Sequence, residues 1–339
     1  MDREASRLGA ARPVVVTGCA GFIGFHLAER LLKSGERVIG VDNLSPYYDV
    51  RLKRRRLAAL SKYRRFRFER LDLKSRTAFA ELVRRAKPRE IFHLAAQAGV
   101  RYSVADPWAY ADANYLGTLA VLEAARHAQV PRVIYASSSS VYGANTKQPF
   151  SEEDRVDAPL SLYAATKRAN ELLARAYHHL YGTELIGIRF FTVYGPWNRP
   201  DMALFKFARG ILAGEPIDVY NRGEMKRSFT YIDDVIDGLM AIGATEPRGR
   251  EAIYNLGGSE AVPLMRFIEL IEKELGKKAK IRFAPMHGGD APETVADCTK
   301  AEREFDYLPK VSIEEGIRRF AAWLRENERF ALSLKAPKQ

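Results

Sequence analysis

Short apolar runs alternate with helical stretches through the first half of the chain. Runs rich in β-branched residues lie at 14–17, 37–41, 66–70, 90–94, 132–136 and 184–189, and helical patterns fill the gaps between them. Strands that are separated by single helices form βαβ units, whose right-handed crossovers place helices on both faces of a parallel sheet. The sequence therefore predicts a doubly wound α/β fold.

The pattern loosens beyond about residue 190, where turn-rich segments separate helical stretches at 204–213, 263–275 and 313–326. We predict a first domain at 13–191 that holds the parallel sheet, and a smaller C-terminal α/β domain at 192–330. A helix and a short strand within 232–257 are expected to pack back on the first domain. The length of 339 residues agrees with about two domains.

Composition excludes several classes of protein. Cys19 and Cys298 lie far apart and outside any CxxC pair, which indicates neither a disulfide framework nor a zinc knuckle and fits a reduced cytoplasm. The six histidines have no HExxH-like spacing, so we predict no metal site. Because no stretch reaches about 18 apolar residues and the N-terminus lacks an apolar signal region, we also predict no membrane span.

The chain is basic, with 54 Lys and Arg against 42 Asp and Glu, a balance that favours anionic ligands. Ten of the basic residues lie within 51–70, together with a single acid, Glu69. The simplest interpretation is a solvated helix and turn, with attraction of anionic substrates or of a partner surface as the alternative. No nucleic-acid motif accompanies the run, so we predict no nucleic-acid partner.

A glycine-rich turn, GCAGFIG at 18–24, lies between the first predicted strand and the first predicted helix. Gly18 suits a tight turn, Gly21 allows a pyrophosphate to approach the backbone, and Gly24 allows close helix packing. Asp42 follows 24 residues after Gly18, at the end of the second strand, where its carboxylate can bind the adenosine ribose. Since Asp42 would repel a 2′-phosphate and only Asn43 and a leucine follow it, the pattern favours NAD over NADP.

Asp72 and Leu73 come just after the third predicted strand. They are placed to reach the adenine edge, although Asp72 could equally be the N-cap of the next helix.

A phenol and an ammonium group lie one helical turn apart in the segment YAATK, at Tyr163 and Lys167. A nearby cation stabilises phenolate, so we expect Lys167 to lower the pKa of Tyr163 and to suit it to acid/base chemistry. The serine run 137–140 leaves the fifth strand at its carboxyl end, where open α/β sheets bind their ligands. The alternative is a solvated serine turn with Tyr163 in the core.

Several motifs resemble the extended short-chain dehydrogenase/reductases over residues 13–323: TGCAGFIG, HLAAQAGVRYS, SSSSVYG and YAATK. The resemblance implies a Rossmann sheet and bound NAD. Two further segments, RFFTVYGPWNRPDMA and KRSFTYIDD, are similar to those of UDP-glucuronate 4-epimerases. Those enzymes usually have GPWGRPDM and RDFTYIDD, so Asn198 and Ser228 depart from the pattern.

The resemblance implies a set of site residues. The catalytic residues would be Ser138, Tyr163 and Lys167. The NAD site would comprise Gly18, Gly21, Phe22, Ile23, Gly24, Asp42, Asn43, Asp72, Leu73 and Gln97, together with Tyr163 and Lys167. The substrate site would comprise Arg101, Ser139, Ser140, Thr192, Arg199, Arg227 and Asp290, with Thr192 and Arg199 on the sugar carboxylate, Arg227 on the diphosphate and Asp290 on the uridine ribose.

The implied reaction is reversible oxidation of the sugar at carbon 4, followed by rotation of the 4-keto sugar and reduction of its opposite face. A ketone at carbon 4 makes the substrate a β-keto acid, and we expect Arg199 to oppose loss of carbon dioxide by clamping the carboxylate. The alternatives are a UDP-glucuronate decarboxylase, a UDP-galactose 4-epimerase, a catalytically silent nucleotide-sugar or NAD-binding module, and a basic polyanion-binding protein.

The helical stretches 108–128 and 162–180 are apolar around more of their circumference than a one-sided surface helix needs. Members of the family commonly dimerise through these two helices, so we expect a homodimer.

Overall fold

The computed structural model describes residues 12–335 except 259, 287 and 290. In this part of the chain the strands are β1 (Val14–Thr17), β2 (Val38–Asp42), β3 (Phe66–Arg70), β4 (Glu90–His93), β5 (Arg132–Ala136), β6 (Glu184–Phe190), β7 (Thr192–Tyr194), β8 (Pro216–Tyr220), β9 (Lys226–Tyr231), β10 (Glu251–Leu256), β11 (Ala261–Pro263), β12 (Lys280–Ala284) and β13 (Glu293–Thr294). Each of the six predicted strands is present, with ends that differ by at most one residue.

The helices of the described residues alternate with the first six strands and then cluster in the C-terminal part. They are α1 (Phe22–Lys33), α2 (Val50–Leu60), α3 (Arg76–Ala86), α4 (Tyr102–Ala105), α5 (Pro107–Tyr110), α6 (Gly117–His127), α7 (Leu162–Tyr181), α8 (Ala203–Ala213), α9 (Ile232–Ala244), α10 (Leu264–Leu275), α11 (Thr299–Phe305), α12 (Ile313–Glu326) and α13 (Glu328–Ser333). Among them none has the length and apolar composition that crossing a bilayer requires.

A seven-stranded parallel sheet forms the centre of the molecule, in the order β10-β6-β5-β4-β1-β2-β3. Successive residues of β1 face opposite sides: Val14 and Val16 join one apolar cluster and Val15 joins the other. α1 and α9 pack together on the first side, whereas α3, α6 and α7 pack on the second. The predicted doubly wound α/β fold is confirmed.

The strand order reverses between β1 and β4, which opens a crevice at the carboxyl edge of the sheet. Short strands lie beyond this edge, in a sheet that contains β7, β9, β11 and β13 and in the parallel pair β8 and β12. They pack with α8, α10 and α12. β10 returns to the main sheet and pairs with β6, while the domain boundaries that we drew stay a prediction.

The predicted helix at 108–128 is interrupted. α5 and α6 are joined by a π-helical turn, Ala111–Leu116, which holds Asn114 in the interior. The backbone nitrogen of Gln97 donates to Asn114 Oδ1 (2.8 Å), and Asn114 Nδ2 donates to Gln97 O and to Thr166 Oγ1 (3.0 Å each). The wider turn directs the amide to both partners, so it joins the loop after β4 to α7.

Candidate active site

The glycine-rich turn joins β1 to α1 at the carboxyl edge of the sheet. Gly18 has a φ of +72°, and a Cβ there would lie 2.7 Å from a backbone nitrogen of the loop after β4. Gly24 lies so close to the carbonyl of Gly18 that a side chain would clash. Gly21 is the N-cap of α1 and offers no side-chain acceptor to the first amides, those of Phe22 and Ile23. The backbone therefore fits a dinucleotide pyrophosphate.

Asp42 is fixed where β2 ends. Its Oδ2 accepts from the backbone nitrogen of Ala20 (3.2 Å) and its Oδ1 from that of Leu44 (2.8 Å). Lys53 Nζ lies 3.5 Å from Oδ1, and both side chains are buried. The carboxylate is thus held beside the glycine-rich turn, where the ribose of a dinucleotide binds.

Asn43 and Asp72, which we predicted near the adenine, bond to each other at the carboxyl edge of the sheet. Asn43 Nδ2 donates to Asp72 Oδ2 (3.0 Å), which joins the ends of β2 and β3. Asp72 Oδ1 accepts from the backbone nitrogen of Lys74, and Leu73 is buried beside it. Interpreting Asp72 as a helix N-cap is wrong, because Ser75 takes that position in α3.

The basic segment 51–70 is exposed for the most part, but α2 directs Lys53 and Arg56 inward. Arg56 is fully buried, and its Nη1 donates to Ala20 O and to the hydroxyl of Tyr48 (2.8 Å each). Its Nη2 donates to Trp197 O (2.5 Å). One guanidinium therefore joins the glycine-rich turn to a loop of the C-terminal part, which a solvated helix would not do.

Ser138, Tyr163 and Lys167 come together beyond the carboxyl end of β5. Ser138 lies close enough to Tyr163 to act on its phenol, whose pKa it lowers. Ser138 Oγ also donates to Ser140 Oγ (3.2 Å). Lys167, one turn further along α7, donates from Nζ to the carbonyl of Ala136 (2.7 Å), the last residue of β5.

The expected effect of Lys167 on Tyr163 is wrong in this structure. Burial raises the pKa of Tyr163, while its hydrogen bond with Ser138 and the charge of Arg199 act in the opposite direction. The ammonium group of Lys167 is bonded to the backbone instead. Burial lowers the pKa of Lys167 to about 8, against the charge of Glu171 on the same helix.

Four of the predicted substrate residues line one cavity between β7, β9 and the serine turn: Ser139, Ser140, Thr192 and Arg227. Arg227 donates to the carbonyls of Ala291 (2.7 Å) and Pro292 (3.0 Å), which places segment 291–292 on the same cavity. Asp290 lies outside the described residues, although Gly289 and Ala291 on either side of it line the cavity.

Arg199 and Arg101 are placed differently from these four. The side chain of Arg199 is largely buried and forms an ion pair with Asp201. Its positive charge lowers the pKa of Tyr163. The guanidinium of Arg101 lies 3.7 Å from the ring centre of Tyr220, a stacked cation–π contact. The charge of Arg199 therefore acts on Tyr163, whereas Arg101 lies on the aromatic ring of Tyr220 in β8.

The two departures from the family pattern are both buried. Asn198 Oδ1 accepts from the backbone nitrogen of Arg199 (2.7 Å), and its Nδ2 has no hydrogen-bond partner among the described residues. The left-handed backbone conformation falls on Trp197 and not on Asn198, so a side chain at 198 causes no strain. Ser228 donates to the carbonyl of Gly258.

The sequence profile of the NAD dependent epimerase/dehydratase family matches residues 14–257. The chain belongs to this family. That membership agrees with the geometry of the glycine-rich turn and confirms NAD as the cofactor. Bound NAD supplies reversible hydride transfer in such a site.

Relatives within the NAD-dependent epimerase/dehydratase family extend the match to more than nine tenths of the chain. A probable UDP-glucuronate 4-epimerase of Rhizobium meliloti is 46% identical over 94% of this chain and 98% of its own. A UDP-glucuronate 4-epimerase of Thermodesulfobacterium geofontis is 43% identical over 95% and 98%. The solved structure of UDP-glucuronic acid 4-epimerase from Bacillus cereus with UDP-glucuronic acid and NAD superposes with a TM-score of 0.88, at 35% identity over 93% and 99%.

The similarity to UDP-glucuronate 4-epimerases that the motifs indicated is thereby confirmed, while the roles of individual residues stay predictions. Several polar residues at the site were not predicted: Tyr47, Lys53, Arg56, Asn114 and Asp201. Only Asp201 had a local signal, since an acid two residues from Arg199 is within reach of its guanidinium.

Proposed function

We propose that this chain is an NAD-dependent 4-epimerase that interconverts UDP-glucuronate and UDP-galacturonate through a transient 4-keto sugar. The observation that carries the proposal is the position of Tyr163 and Lys167 at the carboxyl end of β5, where Lys167 Nζ donates to Ala136 O (2.7 Å), beside a cavity lined by Ser139, Ser140, Thr192 and Arg227. An acid/base pair within reach of a buried guanidinium suits a sugar whose oxidisable hydroxyl lies next to a carboxylate. The activities named for the relatives support the same assignment.

In this mechanism the phenolate form of Tyr163 takes the proton of the 4-hydroxyl group, and the resulting phenol later returns it. The hydroxyl proton of Ser138, which Ser140 Oγ accepts in this structure, is donated to the same sugar oxygen when the substrate is bound. Lys167 lies one helical turn from Tyr163 and is held by its bond to Ala136 O, and burial lowers its pKa to about 8. Bound NAD would supply the reversible hydride transfer at carbon 4, and rotation of the 4-keto sugar would expose its opposite face to the returning hydride.

The residues that line the cavity hold the nucleotide while the 4-keto sugar rotates. Ser139, Ser140 and Thr192 present hydroxyl groups to the sugar, and Arg227 binds the diphosphate. Small hydroxyl side chains bond either orientation of the ring, because a hydroxyl both donates and accepts.

Arg199 distinguishes the epimerase from a decarboxylase. A guanidinium that holds the carboxylate charged and in fixed geometry opposes the movement of charge into the ring that loss of carbon dioxide requires. A UDP-galactose 4-epimerase has no substrate carboxylate for this buried cation to bind.

The test is incubation of the purified chain with UDP-glucuronate and identification of the products by NMR. The proposal predicts UDP-galacturonate as the main product. A UDP-pentose as the main product would establish the decarboxylase. Turnover of UDP-galactose alone would establish the neutral-sugar epimerase, and binding of UDP-glucuronate without turnover would establish the silent module.

We further propose that the protein is a cytoplasmic homodimer. Large apolar side chains are exposed on α5 and α7: Trp108 is 77% exposed, Leu172 53% and Leu180 63%. An apolar surface of this kind is covered by a second copy in homodimers of helix-paired enzymes. Both Cys19 and Cys298 are free thiols, which fits a reducing compartment.

Light scattering after gel filtration tests the dimer. We expect twice the mass of one chain for the protein and for Leu308→Lys, which changes an exposed leucine outside these two helices. Leu172→Lys should shift the mass to that of a monomer, and a wild-type monomer at micromolar concentration would contradict the proposal.

A further inference from the structure

Asp201 holds one edge of the Arg199 guanidinium. Arg199 Nε donates to Oδ1 of Asp201 (3.0 Å) and Nη2 donates to Oδ2 (2.5 Å). Both side chains are largely buried, with exposed fractions of 20% and 9%. The guanidinium lowers the pKa of Asp201 although burial acts in the opposite direction, so Asp201 is a carboxylate. A bidentate pair of this kind fixes the plane of the guanidinium as well as its position.

Tyr47 fixes Asp201 from the other side. Its hydroxyl donates to Oδ2 of Asp201 (3.3 Å). Its ring packs on that of Tyr102, with 5.0 Å between centroids, and a Cβ added to Gly99 would lie 2.5 Å from the hydroxyl. Gly99 has a φ of +114°, which residues with a side chain rarely adopt, and a side chain there would clash with the phenol of Tyr47. The close backbone of Gly99 therefore confines the Tyr47 hydroxyl next to Asp201.

The other edge of the guanidinium remains for a ligand. Arginine has five N–H donors in a rigid fork, and Asp201 takes two of them. Among the described residues, no hydrogen bond is made by Nη1 of Arg199. A second carboxylate can therefore bind the Nη1–Nη2 edge while Asp201 keeps the Nε–Nη2 edge. Lys206, whose charge acts on Asp201, reduces the repulsion between the two carboxylates.

We propose that Asp201 and Tyr47 are positioning residues that orient Arg199 for the substrate carboxylate. They set the preference for a uronate over a neutral hexose, an assignment that rests on the proposed function. An arginine that is already immobile loses little side-chain entropy when the ligand arrives, and it meets the carboxylate in one geometry only. The alternative role for Asp201 is that of a competitor, which occupies Arg199 until the substrate displaces it.

The two roles predict opposite effects of Asp201→Asn. If Asp201 positions Arg199, the variant raises the KM and the Kd for UDP-glucuronate by about tenfold, because the charged partner of the guanidinium is lost. Tyr47→Phe, which keeps the ring and removes the hydroxyl, raises both by about threefold. Asp201→Glu restores part of the loss. Binding of UDP-glucose, which differs at the carboxylate alone, changes less than twofold in all three variants.

The experiment combines calorimetric titration of the NAD-loaded protein with UDP-glucuronate and UDP-glucose, steady-state kinetics, and measurement of the UDP-pentose fraction among the products. Asp237→Asn is the matched control, because Asp237 is also paired with an arginine but lies exposed on α9. Thermal unfolding checks that each variant is folded. We expect the pentose fraction to rise in Asp201→Asn and not in Asp237→Asn.

Tighter binding of UDP-glucuronate by Asp201→Asn would overturn the proposal in favour of the competitor. Equal weakening of UDP-glucuronate and UDP-glucose would overturn it in favour of a structural role. If the wild type binds UDP-glucuronate but does not epimerise it, the proposed function fails, while the titrations still decide whether Asp201 and Tyr47 position Arg199.

Discussion

The cofactor end and the sugar end of the candidate site differ in how they are constructed. At the cofactor end, backbone amides and carboxylates at strand ends form the surface, and most of them come from the first 75 residues. At the sugar end, side chains from distant segments converge: Ser139, Thr192 and Arg227 line one cavity, and Tyr47 reaches Asp201 across 154 residues. Short segments of the sequence therefore specify the cofactor end, whereas the sugar end forms only when distant segments come together in the folded chain.

Tyr163 lies between the two ends, and its replacement has the largest expected effect. Tyr163→Phe keeps the ring but removes the group that moves the proton, so epimerisation should fall by about 100- to 10,000-fold. NAD content and the Kd for UDP-glucuronate should stay within about twofold of the wild type, measured by absorbance of the released cofactor and by calorimetry. Near-full turnover in a variant with unchanged Tm would remove Tyr163 from the mechanism.

Arg199→Ala should weaken binding of UDP-glucuronate and leave binding of NAD unchanged. We expect the KM for UDP-glucuronate to rise by about 100-fold, since a bidentate charged contact is lost, and UDP-pentose and carbon dioxide to appear among the products. Mass spectrometry of the nucleotide sugars measures the partition. Unchanged NAD affinity is the control, and an unchanged KM with no pentose would show that Arg199 does not bind the carboxylate.

Asp42→Ala should weaken binding of NAD and leave binding of UDP-glucuronate unchanged. Loss of the ribose acceptor should weaken NAD by about 30-fold, and the preference for NAD over NADP should narrow because Lys53 is left without its carboxylate partner. Titration of cofactor-free protein with both dinucleotides measures this. Tighter binding of NADP than of NAD by the wild type would contradict the placement of Asp42, as would an unchanged preference in the variant.

The smallest expected effect concerns the free energy of unfolding and its dependence on the protonation of His93. His93 is buried between the hydroxyls of Thr17 (2.8 Å) and Thr118 (3.1 Å), and burial lowers its pKa to about 3. A base whose pKa is depressed by folding contributes stability above its unfolded pKa of about 6.5, and this contribution is lost as the pH falls toward 3. Between pH 7.5 and 5.5 the free energy of unfolding should fall by about 1.4 kcal/mol on account of His93.

Urea unfolding at the two pH values measures this change. His93→Asn cannot be protonated there, so its stability should fall by that much less over the same interval. The exposed His179→Gln should behave as the wild type does. An equal pH dependence in His93→Asn and the wild type would mean that another group, such as His26, accounts for the acid sensitivity.

The same contrast explains what could be predicted from the sequence. The strands, the glycine-rich turn and the position of Asp42 follow from short patterns, because hydrophobic periodicity and turn chemistry act over a few residues. The inward direction of Lys53 and Arg56 within a basic run did not follow, since it depends on what α2 packs against. The π-helical turn at Asn114 and the pKa of Tyr163 likewise depend on burial, which no local pattern specifies.

The loop at 43–49, between β2 and α2, serves both ends at once. It begins beside Asp42 with Asn43, which we predicted near the adenine, and it contains Tyr47, which holds Asp201, and Tyr48, which bonds Arg56. In sheets of this type the end of the second strand carries the acidic residue that bonds the ribose, so a change of coenzyme preference would replace this segment. Such an exchange in this chain would also replace Tyr47, which we propose positions Arg199 through Asp201, so the preferences for coenzyme and for sugar would have to be redesigned together.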